Sequence, residues 1–283
     1  MSSLANMFRF ISSHPLTRRQ RIKTFGRIAG WQIKSRIHRE VVVAWIAGQK
    51  LAVRRGMTGA TGNIYAGVHE FADMMFLLHF LKSGDLFLDI GANVGTYTVL
   101  ASGVCKAKTW AFEPDPETVL CLKRNIEINN LQELVTIHEL ALGATECEVA
   151  FTVGLDTVNR IAKGDQHQRR VHQKPLDSFL SDVGPTFAKL DVEGYEEEVL
   201  RGGQALLGKG SLQAIELETV TPHVLEMLSL HGFVRVYYEP FARLLSTEPI
   251  GMQSCNALFV KNLSFVNSRI GQSPKVRVLD FVI

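Results

Sequence analysis

The sequence predicts an α/β fold organised around a mostly parallel, doubly wound sheet. Three observations carry that expectation. From Asp85 onward, short apolar runs alternate with amphipathic segments of helical length, the pattern of successive β-α units whose helices cover both faces of a sheet. The last two apolar runs, 233–238 and Ala257–Val260, have no helix between them, so an antiparallel strand is expected to close the sheet. Hydrophobic content of 46% and charged content of 21% are ordinary globular usage, which argues against disorder and against a multi-span membrane protein.

The elements follow in order. Ile22, Phe25, Ile28, Ala29, Trp31, Ile37 and Val41 recur at roughly helical spacing with cations between them, which predicts a basic amphipathic helix. Three glycines within 56–63 mark a loop, and 68–81 is apolar enough for a buried helix. Strands are expected at Leu86–Ile90, 109–112, 135–140, Phe187–Leu190, 212–217, 233–238 and Ala257–Val260, with a hairpin segment at 149–152. Helices are expected at 96–103, 195–207 and 222–231, and at 116–129, where Pro stands in the first turn and Asn-Asn at the end. The polar stretch 152–171 reads as an insertion on the surface of the sheet. These readings divide the chain into a basic helical extension and loop (1–64), an α/β domain (65–262) and a C-terminal tail (263–283).

Residues 1–60 hold 12 Lys and Arg against the single acid Glu40, a net of +11, and the rest of the chain carries −8. An anionic partner for this arm is expected: an anionic membrane surface or a lipid-linked glycan, with solvated cations on a helical cap as the plain alternative. Nucleic acid fits less well, because the arm forms no aromatic-interleaved stacking platform. The longest apolar run near the N-terminus, 41–48, is far below the roughly 20 residues that span a bilayer, and no secretory core is evident. A cytoplasmic protein, peripheral to the inner face of the membrane if the arm binds there, is expected. Cys105, Cys121, Cys147 and Cys255 form no C-x-x-C pair and are read as free thiols.

The turn after Leu86–Ile90 is where a doubly wound sheet holds a ligand. Its sequence, Gly91-Ala92-Asn93-Val94-Gly95, is not a dinucleotide fingerprint, since Asn93 and Thr96 occupy the second and third glycine positions, and no G-K-[ST] of a P-loop follows. It reads instead as Asp89-x-Gly91-x-Asn93-x-Gly95. The glycines allow a close backbone approach, and the strand-end carboxylate would repel a pyrophosphate but suit a cationic ligand. S-adenosylmethionine, with a sulfonium and an ammonium, fits that requirement. Glu113 ends the next strand 24 residues later, placed to accept two hydrogen bonds from a ribose diol.

These residues and their surroundings, "FLDIGANVGTYT", "AFEPDP", "LKRNIEINNL", "ELALG", "PLDSFL", "KLDVEGYEEEVLRG" and "AIELE", resemble the FkbM family of class I S-adenosylmethionine-dependent methyltransferases over residues 70–260. The resemblance implies a Rossmann-like seven-stranded sheet of order 3-2-1-4-5-7-6 with one antiparallel strand. It also implies Asp89, Gly91, Asn93 and Gly95 at the methionine part of the cofactor, Glu113 at the ribose, and Leu140, Ala141 and Leu142 near the adenine. The reaction it implies is methylation of a hydroxyl, on a sugar of a polysaccharide or glycoconjugate, or on a polyketide or other small molecule. An NAD-linked oxidoreductase, disfavoured by Asn93 and Thr96, and a non-catalytic binding module are the alternatives of other classes. Nucleic acid fits less well as an acceptor too, because the motif at 191–194 is not the N-P-P-[YF] type of amino-group methyltransferases.

The run Phe187–Leu190 delivers Lys189, Asp191 and Glu193 near its carboxyl end, with Lys189 and Asp191 on one side. A hydroxyl nucleophile must lose its proton, and Asp191 is expected to take it. Lys189 would bind substrate, and Glu193 is a second base or an orienting partner. The same acids with Glu216 and Glu218 could instead hold Mg²⁺ as hard oxygen ligands, although nothing fixes a ligand count. Tyr195, Tyr237, Tyr238, Phe241 and Arg243 are read as shaping an acceptor pocket or as packing. His138 is expected at a core or rim position, and His167 and His172 in the polar insertion.

Overall fold

The computed structural model describes residues 3–152, 161, 168–179, 184–251 and 254–283. Helices α1 (Ser3–Ser13) and α2 (Arg21–Ile37) lead into a hairpin, β1 (Val41–Ala44) and β2 (Lys50–Val53), and then into α3 (Thr58–Ala66) and α4 (Phe71–Phe80). The helix expected to reach Val41 therefore stops at Ile37. Val41, Val42 and Val43 are β-branched and pair with Val53, Ala52 and Leu51. Most of the expected loop over 56–63 is the helix α3, in which Gly62 serves close packing: the His69 ring occupies the space a Cβ there would need. Every residue of α4 is buried.

There follow β3 (Leu86–Ile90), α5 (Thr96–Thr98) running into a π-helical turn at Val99–Val104, β4 (Lys108–Phe112), α6 (Pro116–Glu127) and β5 (Val135–His138). Helix α6 starts as its sequence dictates: Pro116 stands in the first turn, and the Asp115 carboxylate accepts the Thr118 N–H at 3.0 Å. Next come β6 (Ala141–Leu142), β7 (Cys147–Thr152) and β8 (Gln168–Lys174), which form a three-stranded sheet of their own. The last part of the expected insertion is thus paired strand, and His167 lies outside the described residues. The remaining elements are β9 (Phe187–Leu190), α7 (Glu196–Arg201), α8 (Gln204–Gly208), β10 (Ala214–Leu217), α9 (Pro222–Leu230), β11 (Val234–Glu239), β12 (Leu244–Ser246), β13 (Ala257–Val260), α10 (Leu263–Gly271), β14 (Arg277–Val278) and β15 (Phe281–Val282).

The main sheet has the order β5-β4-β3-β9-β10-β13-β11-β12. Strands β5, β4, β3, β9 and β10 are mutually parallel, and β13 runs antiparallel between β10 and β11. Its first seven strands reproduce 3-2-1-4-5-7-6. The eighth, β12, is a correction: a three-residue strand antiparallel to β11 makes the antiparallel strands two rather than one. Three residues are too few to carry a periodic signal.

The sheet is buried on both faces. Phe76 and Phe80 of α4 meet Phe87 and Phe187 on one side, together with Val266, Ile270, Val278 and Ile283. Residues 263–283, read as a tail, are therefore a helix and hairpin that close this half of the core. On the other side Leu88, Ile90, Leu190 and Leu217 pack against Val199, Leu207, Val224 and Leu228. Among the described residues no helix is long and apolar enough to cross a membrane.

Candidate active site

Strand alternation fixes the floor of the site. With Phe87, Phe187 and Ala214 in the core against α4, the residues two positions on, Asp89, Lys189 and Glu216, face the same way. Register then sets them side by side, since Asp89 pairs with Lys189 and Lys189 with Glu216. All three are buried. One cation thus lies between two carboxylates, and the Tyr97 ring covers its ammonium at 4.4 Å. The Tyr97 hydroxyl sits between Glu70 (2.6 Å) and Glu216 (3.2 Å).

Burial alone would lower the Lys189 pKa, but Asp191, Glu70, Glu216 and Asp89 outweigh it and keep the ammonium charged. Its direct partner is Asp191, with Nζ 2.5 Å from Oδ2. Burial pushes the Asp191 carboxyl up, the ammonium pulls it down, and the net shift is down. Glu216 goes the other way: burial and the nearby Asp73 hold its carboxyl well above the ordinary range. Burial likewise raises Asp89, against Lys189 and a 2.5 Å hydrogen bond from the Thr98 hydroxyl.

The loop after β3 joins this floor to the tip of β4. Asn93 adopts φ +51°, the left-handed conformation that glycine would otherwise supply, and its Oδ1 accepts the Val94 N–H at 2.7 Å. The Asn93 N–H donates to Glu113 Oε2 at 2.9 Å, and the Asp115 N–H to Glu113 Oε1 at 3.0 Å. Burial pushes the Glu113 carboxyl up to about 7 despite these two donors. Gly91 is required for contact: at φ +79° it lies against the backbone carbonyl of Asp191, where no Cβ fits. Gly95, at φ +87°, turns the chain into α5, and a Cβ there would meet Leu122 of α6.

The two strand ends open into one cavity of about 380 Å³. Asp89, Gly91, Asn93, Glu113, Leu140, Ala141, Lys189, Asp191 and Glu193 all line it, and Gly95 is not among the lining residues. Phe112, Leu142, Phe151 and Ile161 give it an apolar side. Glu193 is held in the left-handed region at φ +54°, followed by Gly194 at φ +88°. Glu196 folds back over this turn, its Oε1 3.4 Å from the Val192 and Gly194 N–H groups.

Among the lining residues that were not read as part of a cofactor or base site are three titratable ones with carboxyl or imidazole side chains. Glu70 and His69 come from the turn before α4, and Glu218 from just beyond β10. Glu218 carried a readable signal: Leu217 pairs with Leu190, so the next residue on each strand brings Glu218 beside Asp191. A hydrogen bond joins the two carboxyls. Partial burial and the charges of Asp191 and Glu193 push Glu218 up to about 8. One oxygen each of Asp191, Glu193 and Glu218 lies within 4.8 Å of the others, a donor set hard enough for Mg²⁺. Glu216 is apart from that set, bound by the Asn256 amide at 3.0 Å.

Of the residues read as shaping an acceptor pocket, Tyr195 lines the cavity. Tyr238 instead meets His79 at 2.6 Å in the core, Phe241 packs on Phe71, and Arg243 donates to the carbonyls of Ser273, Pro274 and Ile283. Tyr237 lines a smaller, separate cavity. His138 stacks on Phe112 at 4.7 Å, a rim position, and His172 pairs with Glu146 at the surface.

The chain matches the methyltransferase FkbM domain over residues 89–242, a span that contains Glu113, Lys189, Asp191 and Glu218. It is 28% identical over 159 residues to Methyltransferase 1 of Beauveria bassiana, covering 47% of this chain and 64% of that protein. It is 29% identical over 139 residues to a probable cobalt-precorrin methyltransferase of Sulfurisphaera tokodaii, covering 46% and 71%. Against the hexuronic acid methyltransferase AglP of Haloferax volcanii the identity is 28% over 130 residues, covering 44% and 53%. The chain therefore spans less than two thirds of the length of the first and third of these relatives. With its matched span running from the acid at the end of β3 to just beyond β11, the chain belongs to the FkbM methyltransferase family.

Proposed function

We propose that this protein transfers a methyl group from S-adenosylmethionine to a hydroxyl oxygen, on a sugar of a polysaccharide or glycoconjugate. The observation that carries the reading is the Asn93–Glu113 hydrogen bond, which holds a glycine loop and a buried strand-tip carboxylate in the cavity that the Lys189–Asp191 pair also lines. The residues fit the cofactor. Each Glu113 oxygen receives one backbone N–H and keeps a lone pair for a ribose hydroxyl. Phe112, Leu140 and Leu142 suit an adenine ring. Among the described lining residues, Glu70, Asp89, Glu113, Asp191, Glu193 and Glu218 face the one lysine, Lys189. Such a wall favours a ligand with cationic groups and opposes the pyrophosphate of NAD.

S-adenosylmethionine supplies an electrophilic methyl carbon attached to a sulfonium. The chain's own residues do the rest. Asp191, kept ionised by Lys189, accepts the proton of the acceptor hydroxyl as the new bond forms. Lys189 fixes the position of that carboxylate, and the raised Glu218 carboxyl beside it limits the negative charge gathered there. A sugar acceptor is supported by the likeness to AglP, which is named as a hexuronic acid methyltransferase; a polyketide or other small-molecule hydroxyl is the alternative. Mass spectrometry of glycosides incubated with the protein and S-adenosylmethionine tests the reading. One methyl group added at a hydroxyl is expected, and transfer to carbon alone would overturn it. Activity lost in EDTA and restored by Mg²⁺ would assign Asp191, Glu193 and Glu218 to a cation instead.

A further inference from the structure

Helix α2 has two apolar faces, and the fold uses one. Thr24, Ile28, Trp31 and Ser35 are buried, with Trp31 packed in a cluster that includes Ala60, Ile64 and Tyr65 of α3. The opposite side carries Ile22, Ile33 and Ile37, which are 89%, 60% and 70% exposed. At 100° per residue these three fall within about 60° of arc, with Gly26 and Ala29 between them, so no polar side chain interrupts the stripe. Phe25 widens it, and Phe8 of α1 stacks on Phe25 with ring centroids 6.2 Å apart.

The cations differ in what they meet. Lys23 pairs with Asp280 at 2.6 Å, and Arg27 donates to the Tyr65 carbonyl at 3.0 Å. Arg18, Arg19, Arg21, Lys34, Arg36 and Arg39 are exposed and have no ion pair among the described residues. No acid occurs in residues 1–39. Glu40, the first, is drawn inward by Arg54 at 3.0 Å and Arg124 at 3.2 Å.

We propose that the outer face of α2, continued by Phe8, is a docking surface for an anionic lipid bilayer. An apolar stripe flanked by cations is what an interfacial helix presents: isoleucines enter the acyl boundary while Arg and Lys meet phosphate headgroups. A second copy of the chain fits worse, because a symmetric contact would bring two unpaired basic faces together. A nucleic acid would leave the isoleucines facing phosphates. Docked this way, the helix stands one layer from the cavity, since α3, on which it packs, contributes Thr58, Gly59, Ala60 and Asn63 to the lining. The surface does not depend on which reaction the cavity performs.

Flotation of the full chain with vesicles tests the proposal. Binding is expected to vesicles of equal parts phosphatidylglycerol and phosphatidylcholine, to weaken with added salt, and to be much weaker with phosphatidylcholine alone. Two variants separate the components: Ile22→Ser/Ile33→Ser/Ile37→Ser and Arg21→Gln/Lys34→Gln/Arg36→Gln. Each should weaken binding by about tenfold or more while circular dichroism matches the parent. Absence of binding to the anionic vesicles would overturn the proposal, as would isoleucine-variant binding equal to the parent's. A parent dimer in light scattering that the isoleucine variant converts to monomer would assign the stripe to self-association and equally overturn it.

Discussion

Asn93 donates its backbone N–H to Glu113 across 2.9 Å, so the loop after β3 and the tip of β4 form a single structural unit. The hydrogen bond exists because Asn93 takes a left-handed turn that aims its N–H at the next strand. It places a carboxylate that is buried, paired to backbone and still able to accept from a ligand.

Replacing Glu113 with Gln should weaken S-adenosylmethionine binding by about tenfold to a hundredfold, the loss expected when hydrogen bonds to a charged group become neutral ones. The parent should also bind more weakly as pH falls through about 7, where the Glu113 carboxyl gains a proton. The loss should approach tenfold per pH unit at most. Titration calorimetry from pH 8 to 5.5 should show a slope for the parent that is reduced in Glu113→Gln.

Asp191→Asn should lower turnover by about two to four orders of magnitude, the usual worth of a positioned general base, with cofactor affinity changed little. Turnover near the parent value would remove Asp191 from proton transfer. Lys189→Met should also slow turnover, because it releases the Asp191 carboxylate from its 2.5 Å partner and lets its pKa rise. The pH at which activity falls away on the acid side should then move upward, a displacement that a purely structural loss would not produce.

Gly91→Ala should destabilise the fold by about 2 kcal/mol or more, from a side chain forced to positive φ and from collision with the Asp191 carbonyl. Relief requires β3 and β9 to move apart at their tips. Thermal unfolding measures the cost, and a melting temperature equal to the parent's would contradict the packing described.

Asp73, fully buried beside Ser254, tests the acidic network under the site. Burial first, and then Glu70, push its carboxyl up to about 7. The folded state therefore holds a proton that the unfolded chain releases near its ordinary value of 3.8. The sign follows: between pH 4 and 7 the folded state binds more protons, so this group costs stability as pH rises, up to ~4 kcal/mol. Asp73→Asn should gain on the parent over that range in urea unfolding, with a constant difference above it. A difference that does not vary with pH would contradict the burial of an ionisable group there.

The parallel half of the sheet was legible because each strand is a compact apolar run followed by a helix with its own start signal, as with Asp115-Pro116 ahead of α6. That the loop after β3 and the tip of β4 line one cavity was legible because these residues come from elements adjacent in sequence. Glu70 and Glu218 reach it only through tertiary pairing, Glu218 by the register of β10 on β9. Helix α3 was hidden by glycines that suit a loop in isolation, of which Gly62 is needed here for the approach of His69. The C-terminal segment, with its short helix and two-residue strands, shows its apolar pattern only once Val266, Ile270, Val278 and Ile283 are seen against α4.

The central claim is that the cavity between β3, β4 and β9 receives S-adenosylmethionine through Glu113. Calorimetric titration of the full chain with S-adenosylmethionine, and separately with NAD, tests it most directly. One-to-one binding of S-adenosylmethionine, weakened in Glu113→Gln, with no heat from NAD, is the predicted result. No heat from S-adenosylmethionine, or equal affinity in parent and Glu113→Gln, would contradict it.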